Sequence, residues 1–201
     1  MVRKTLIAMM LALPAVLAAP TALAADKAAE TRAALRDLWS EHIFWVRNVV
    51  AATTQKRPDA AKVAEAQVVA NARQIADSIA PFYGQPAADS LFELLKGHYG
   101  PIRQYLDASD KAGRDRATAA LQANAGQIAR FLSGANPHLP YDAVNGLLLA
   151  HGGHHVAQID QLKGAQYAQE AETWSAMRKH MNQISDAIAG AIAKQFPDKF
   201  T

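Results

Sequence analysis

From about residue 28 onward, apolar residues return every three or four positions, and no stretch sustains a period-two alternation. That periodicity predicts helices and no sheet. A first helix is expected over about 28–54, with Leu35, Trp39, Val46 and Val49 as its apolar stripe. Lys56-Arg57-Pro58-Asp59 breaks it, and Asp59 has the side chain to N-cap a second helix carrying Val63, Val68, Ile75 and Ile79. Pro81 to Gly84 ends that helix. Further helices are expected over about 87–108, 114–133, 141–162 and 168–194, with Gly134-Ala135-Asn136-Pro137 among the breaks. Connections this short make neighbouring helices antiparallel. The predicted fold is all-α: an up-and-down bundle or array of about six helices.

An internal echo groups those helices in pairs. Residues 71–80 read NARQIADSIA and residues 124–133 read NAGQIARFLS, 53 positions later; His98 and His151 are 53 apart as well. A fainter copy, HMNQISDAIA, sets His180 in the place of Asn71 and Asn124, and His42 lies 56 residues before His98. The chain therefore reads as three repeated hairpins, each pairing a histidine with a second polar residue: His42 with Asn71, His98 with Asn124, His151 with His180. One hairpin cannot bury its apolar face alone, whereas three packed together can.

Helical spacing sets each of these polar residues within an apolar stripe. His42 falls between Trp39 and Val46, His98 between Leu94 and Ile102, Asn124 between Leu121 and Ile128. A buried imidazole and a buried amide can satisfy each other and fix the register between helices. A structural layer of this kind accounts for His42, Asn71 and Asn124, and on its own for His98. Histidines converging from several helices on a transition metal are the sharper reading, since neutral imidazole suits zinc, copper, nickel and iron.

The fifth helix favours that second reading. His151-Gly152-Gly153-His154-His155 places three histidines in five residues, with His151 and His155 four apart on one face. Two glycines inside a helix cost about 1 kcal/mol each relative to alanine, so close packing or a kink is expected there. Gly100, followed by Pro101, stands two past His98 as Gly153 stands two past His151. The favoured ligand set is His151, His155 and His180, with His98 or His154 as a further ligand. Other chemistries lack their residues: no Glu-x-x-His pair, Gly-rich phosphate loop, G-x-S-x-G or H-E-x-x-H occurs, and no carboxylate stands four residues after any of these histidines. Haem held by His151 or His180 with Met177 or Met181 is a third reading. His138 falls in a loop, Trp39, Trp45 and Trp174 read as core anchors, and Arg47 reads either as a partner for an acid on another helix or as a solvated side chain.

Composition places the chain. Arg3 and Lys4, an apolar run from Leu6 to Ala19 and the small residues Ala22-Leu23-Ala24 form an expected cleaved secretory leader, residues 1–24, before a single domain over 25–201. Export would make the protein periplasmic or secreted. There is no cysteine, so neither disulfide nor thiolate chemistry enters. Without Arg3 and Lys4, 19 of the 21 basic residues remain against 18 acidic ones, and nothing marks nucleic acid as a partner. No later segment is apolar for long enough to span a bilayer.

The stretches Leu38 through Asn48 (W-x2-H-x2-W-x-R), Asn71 through Gly84, Leu94-Leu95-Lys96-Gly97-His98, Ile128 through Pro137 and Lys194 through Phe200 together resemble a family of exported, all-helical bacterial proteins without an assigned activity. The resemblance spans nearly the whole chain beyond the leader. It implies the helical fold and export, and no reaction. In that family's pattern a histidine matches His151 but the following Gly-Gly-His-His does not recur, which implies that a His154/His155 site is particular to this chain or its close relatives. The expected function is non-catalytic binding of a metal ion, copper or zinc, at the histidines. The alternatives are an envelope interaction or stress protein with purely structural histidines, and haem or a small ligand between helices.

Overall fold

The structure, a computed structural model, describes residues 19–200, with side chains from residue 27 onward. Of the expected leader, residues 1–18 lie outside that range. Six long helices follow in order: α1 Ala19–Thr54, α2 Pro58–Asp77, α3 Gln85–Asp107, α4 Lys111–Ala135, α5 Tyr141–Lys163 and α6 Tyr167–Gln195. A single helical turn, Ala80–Tyr83, joins α2 to α3, and a 3-10 turn, Pro197–Lys199, follows α6. There is no strand among the described residues, and no described helix is long and apolar enough to cross a membrane. The all-α expectation holds.

Differences from the expected boundaries have local causes. The alanine-rich segment ahead of residue 28 is helical, as its propensity allows, so α1 begins at Ala19. Asp59 is not the N-cap of α2. Pro58 takes the first helical turn, where its missing N–H costs nothing, and Asp59 falls beside it with its charge at the positive end of the helix dipole. Asp110 does cap α4, accepting the Gly113 N–H at 2.7 Å. Val63 is 61% exposed rather than in the stripe; Ala61, Ala64, Val68 and Ile75 form the buried face of α2 instead.

Consecutive helices pack against one another and α6 packs back on α1, so the six close into a ring; α5 also reaches α1 and α3 across the interior. The apolar core is in two parts. One gathers Trp39, Ile43, Ile75, Leu95, Ile128 and Leu148; the other gathers Val46, Val68, Ile102, Leu121 and Ile159. Between them along α1, α3 and α5 come His42, His98, and His151 with His155, while Asn71 and Asn124 separate the two parts along α2 and α4. A polar layer thus divides the core. Each large apolar side chain on either side contributes about 1.5–3 kcal/mol of burial, and this holds the layer in place.

At one end of the bundle the chain is tied by residues from three separate sequence stretches. Asn136 Nδ2 donates to the Tyr83 hydroxyl (2.9 Å), Tyr83 donates to Gln195 Oε1 (2.8 Å), and Gln195 Nε2 donates to the Ala135 carbonyl (3.0 Å). Phe82 stacks on Phe200 beside Phe196, and Lys199 reaches the Pro81 carbonyl. The N-P, Y-G and Q-F-P-x-K-F motifs therefore meet as a structural clasp.

Candidate metal centre

Each helix pair contains the same bond. Asn71 Nδ2 donates to the Leu38 carbonyl (3.0 Å), Asn124 Nδ2 to the Leu94 carbonyl (3.1 Å), and His180 Nε2–H to the Leu147 carbonyl (2.8 Å). In every case the acceptor lies four residues before a buried histidine: His42, His98 or His151. The second polar residue of each pair pins the first helix one turn ahead of its histidine.

The three cases differ in what remains. Asn124 has its nitrogen committed to Leu94, so its Oδ1 faces His98 Nδ1 at 2.9 Å and must accept from Nδ1–H. That fixes the His98 tautomer and leaves a lone pair on Nε2, which is buried and has no partner within the chain. Asn71 Oδ1 and His42 Nδ1, the counterparts in the first pair, are both buried and unpaired. In the third pair the amide is replaced by His180, and His151 Nδ1 is buried and unpaired.

His42, His98, His151 and His155 are 4%, 3%, 1% and 2% exposed, so four imidazoles share one dry layer. His151 and His155, one turn apart on α5, bring their Nε2 atoms to 3.2 Å. His98 stacks on His151 with centroids 5.6 Å apart, and His42 lies 5.8 Å from His151 and 6.1 Å from His155. His42, His151 and His155 each offer a ring nitrogen within 4.8 Å of the other two. Burial pushes all four rings below the ordinary imidazole value, His42 to about 3, and the neighbouring rings push His42, His151 and His155 further down; for His98 the bond to Asn124 works the other way. All four are neutral near pH 7, the form that ligates a metal.

His155 and His151 thus stand together as the i,i+4 spacing suggested, and His98 stands with them. His42, assigned by sequence to the structural layer, completes the three-donor group. His180 and His154 lie elsewhere: their rings pair with each other, centroids 5.5 Å apart, and both are half-buried. The sequence offered one signal for His42, its place in the repeat, but the repeat pairs it with Asn71 and conceals that α1 and α5 meet across the interior. His138 is exposed in its loop, as expected.

Of the glycines beside the histidines, Gly97 and Gly152 are explained by close approach and Gly100 and Gly153 are not. A Cβ on Gly152 would stand 3.0 Å from Leu121 Cδ2, and one on Gly97 3.0 Å from Asn124 Nδ2, whereas Gly100 and Gly153 have nothing within 4 Å. Pro101 sits inside α3, which continues past it.

Among the described residues no carboxylate joins the histidine group; Glu41 reaches only Asn71, at 3.4 Å. Glu170, 3% exposed, receives both Arg47 nitrogens at 2.6 Å and Gln158 Nε2 at 2.9 Å, and the Arg47 guanidinium holds its carboxyl below the usual range. Arg47 is therefore the partner of an acid on another helix. Of the tryptophans only Trp39 is fully buried, edge-on to His42; Trp45 donates to Glu41 and Trp174 lies under Arg47. Beside Trp39 a cavity of about 30 Å³, lined by Leu35, Ile75, Leu91 and Leu148 among others, is well below the roughly 300–1,000 Å³ of small-molecule pockets.

Fold and site together define an all-α bundle with a layer of four buried histidines, three of which, His42, His98 and His151, each keep one ring nitrogen unpaired. No family model, no curated protein and no solved structure matches the chain.

Proposed function

We propose that the protein is an exported, non-catalytic binder of a transition-metal ion, copper or zinc, held by His42, His151 and His155 with His98 beside them. The observation that carries this reading is the group of three buried ring nitrogens within 4.8 Å of one another. Two nitrogens at about 2.0–2.1 Å from one tetrahedral zinc lie about 3.3 Å apart, close to the 3.2 Å between His151 and His155 Nε2. An unsatisfied buried polar atom costs about 1–3 kcal/mol, and an ion that drew in His98 Nε2 would relieve one, while replacing the hydrogen bond between His151 and His155 Nε2. His98 already has the second-sphere arrangement of a ligand: Nδ1–H held by an amide oxygen and Nε2 bare. Closing His42 Nδ1 onto Asn71 Oδ1 would give His42 the same arrangement. An all-imidazole set suits copper or zinc and not the hard cations magnesium and calcium. The leader composition and the resemblance to an exported helical family support an envelope location.

A second reading is supported by the recurring carbonyl bonds. Asn71, Asn124 and His180 each cap the same position, as a purely structural layer requires, and the function would then lie on the surface with a protein partner. Elemental analysis of untagged protein, purified from the envelope without chelator, separates the two. Stoichiometric copper or zinc, lost in His151→Ala/His155→Ala, is the expected result. No metal in the wild type, and none gained on titration with Cu²⁺ or Zn²⁺, would sink the metal reading.

A further inference from the structure

His154 from α5 and His180 from α6 form a second pair outside the buried four. Their rings are 5.5 Å apart and inclined at 54°, and both side chains are half-buried, within reach of solvent. Because His180 Nε2–H donates to the Leu147 carbonyl, its Nδ1 carries the lone pair. That cap does not account for the imidazole: in the other two helix pairs an asparagine makes the same bond. His154 adjoins His155 in α5 and stands three residues after His151. Histidines thus run from the half-exposed side of α5 to its buried side, while the inner four are sealed within an apolar shell that controls access.

We infer that His154 and His180 form an outer two-imidazole site that captures a transition-metal ion and passes it to His151 and His155. This rests on the reading of the buried group as a metal site. Transfer is ligand exchange between neutral imidazoles: one metal–nitrogen bond forms as another breaks, with no electron or proton moved. His154 is one residue from His155 and one turn from His151, so once the ion leaves His180 of α6 it stays on α5.

The test mixes metal-free protein with Zn²⁺ and follows uptake by stopped flow against a chromophoric chelator. His154→Gln/His180→Asn keeps the Leu147 bond, as asparagine does in the other pairs. It is expected to fill the buried site at equilibrium but about tenfold or more slower than the wild type. Uptake within about twofold of the wild-type rate overturns the inference and leaves the buried site untouched. Wild-type protein that takes up no Zn²⁺ overturns both. Should the double variant fold poorly, His154→Gln alone, at a half-exposed position, is expected to slow uptake about threefold or more, and an unchanged rate counts against the outer site.

Discussion

In the α3–α4 pair, Asn124 holds the Leu94 carbonyl with its nitrogen and His98 with its oxygen; in the α5–α6 pair, His180 holds the Leu147 carbonyl and leaves His151 Nδ1 bare. The difference follows from the side chains. A carboxamide carries donor and acceptor on adjacent atoms and serves two neighbours on one side. A neutral imidazole carries them on opposite edges of the ring, so the nitrogen that caps a carbonyl turns the other away. Replacing amide by imidazole keeps the helix register and removes the acceptor that Asn124 offers His98; in the α1–α2 pair the amide is present, but Asn71 Oδ1 and His42 Nδ1 stay unpaired. One pair is locked; the other is open to a ligand.

The largest way to break this comparison is pH. Above about 6.5, folded and unfolded chains both hold these imidazoles neutral; below it the unfolded chain takes up protons that the folded layer refuses. Stability is therefore full above that value and is lost as pH falls, over a window that for His42 extends to about 3. Each strongly shifted group costs about 1.4 kcal/mol per pH unit, so His42, His151 and His155 together cost on the order of 4 kcal/mol per unit, with His98 adding in the same direction. Urea melts of metal-free protein between pH 7.5 and 5.5 should show that collapse. Level stability across the range would mean that the rings are solvated, and the distinction between locked and open histidines would lapse.

Next in size is the exchange of the capping residues. Asn124→Ala strands His98 Nδ1 in the core and takes a second donor from the Leu94 carbonyl, and should cost about 1–3 kcal/mol. His180→Asn keeps its carbonyl bond and gives His151 an acceptor within the repeat's geometry, so it should cost less than about 1 kcal/mol. Chemical denaturation of the two variants checks the pair. Equal losses would show that His180 holds more than a carbonyl.

Much of this was legible in the sequence, for identifiable reasons. Period-3.6 patterning and breaks at Pro58, Pro81 and Pro137 place all six helices, because local propensity and burial agree there. The repeat picks out His42, Asn71, His98, Asn124 and His151 of the divided core, while His155 comes from its i,i+4 spacing, and the repeat anticipates the three equivalent bonds. It is silent on which first helices meet across the interior. Contacts of α5 with α1 and α3 join His42 and His98 to His151, and those depend on how the ring of helices closes, a long-range property that no window of sequence records. The Arg47–Glu170 pair, 123 residues apart, was hidden for the same reason.

The smallest effects concern the glycines, and they sharpen the contrast further. Gly97 lies against the locked pair: a Cβ there meets Asn124 Nδ2 at 3.0 Å, and that nitrogen cannot retreat without releasing Leu94 or turning its oxygen from His98. Gly97→Ala should therefore lose about 1–2 kcal/mol despite alanine's better helix propensity. Gly153 flanks the open pair and faces solvent, and an added methyl there would meet no atom within 4 Å, so Gly153→Ala should gain about 0.5–1 kcal/mol. Thermal melts of the two variants should move in opposite directions. If Gly153→Ala also destabilises, α5 is more tightly held beside His151 than its geometry indicates, and the two helix pairs are alike in rigidity where they differ in hydrogen bonding.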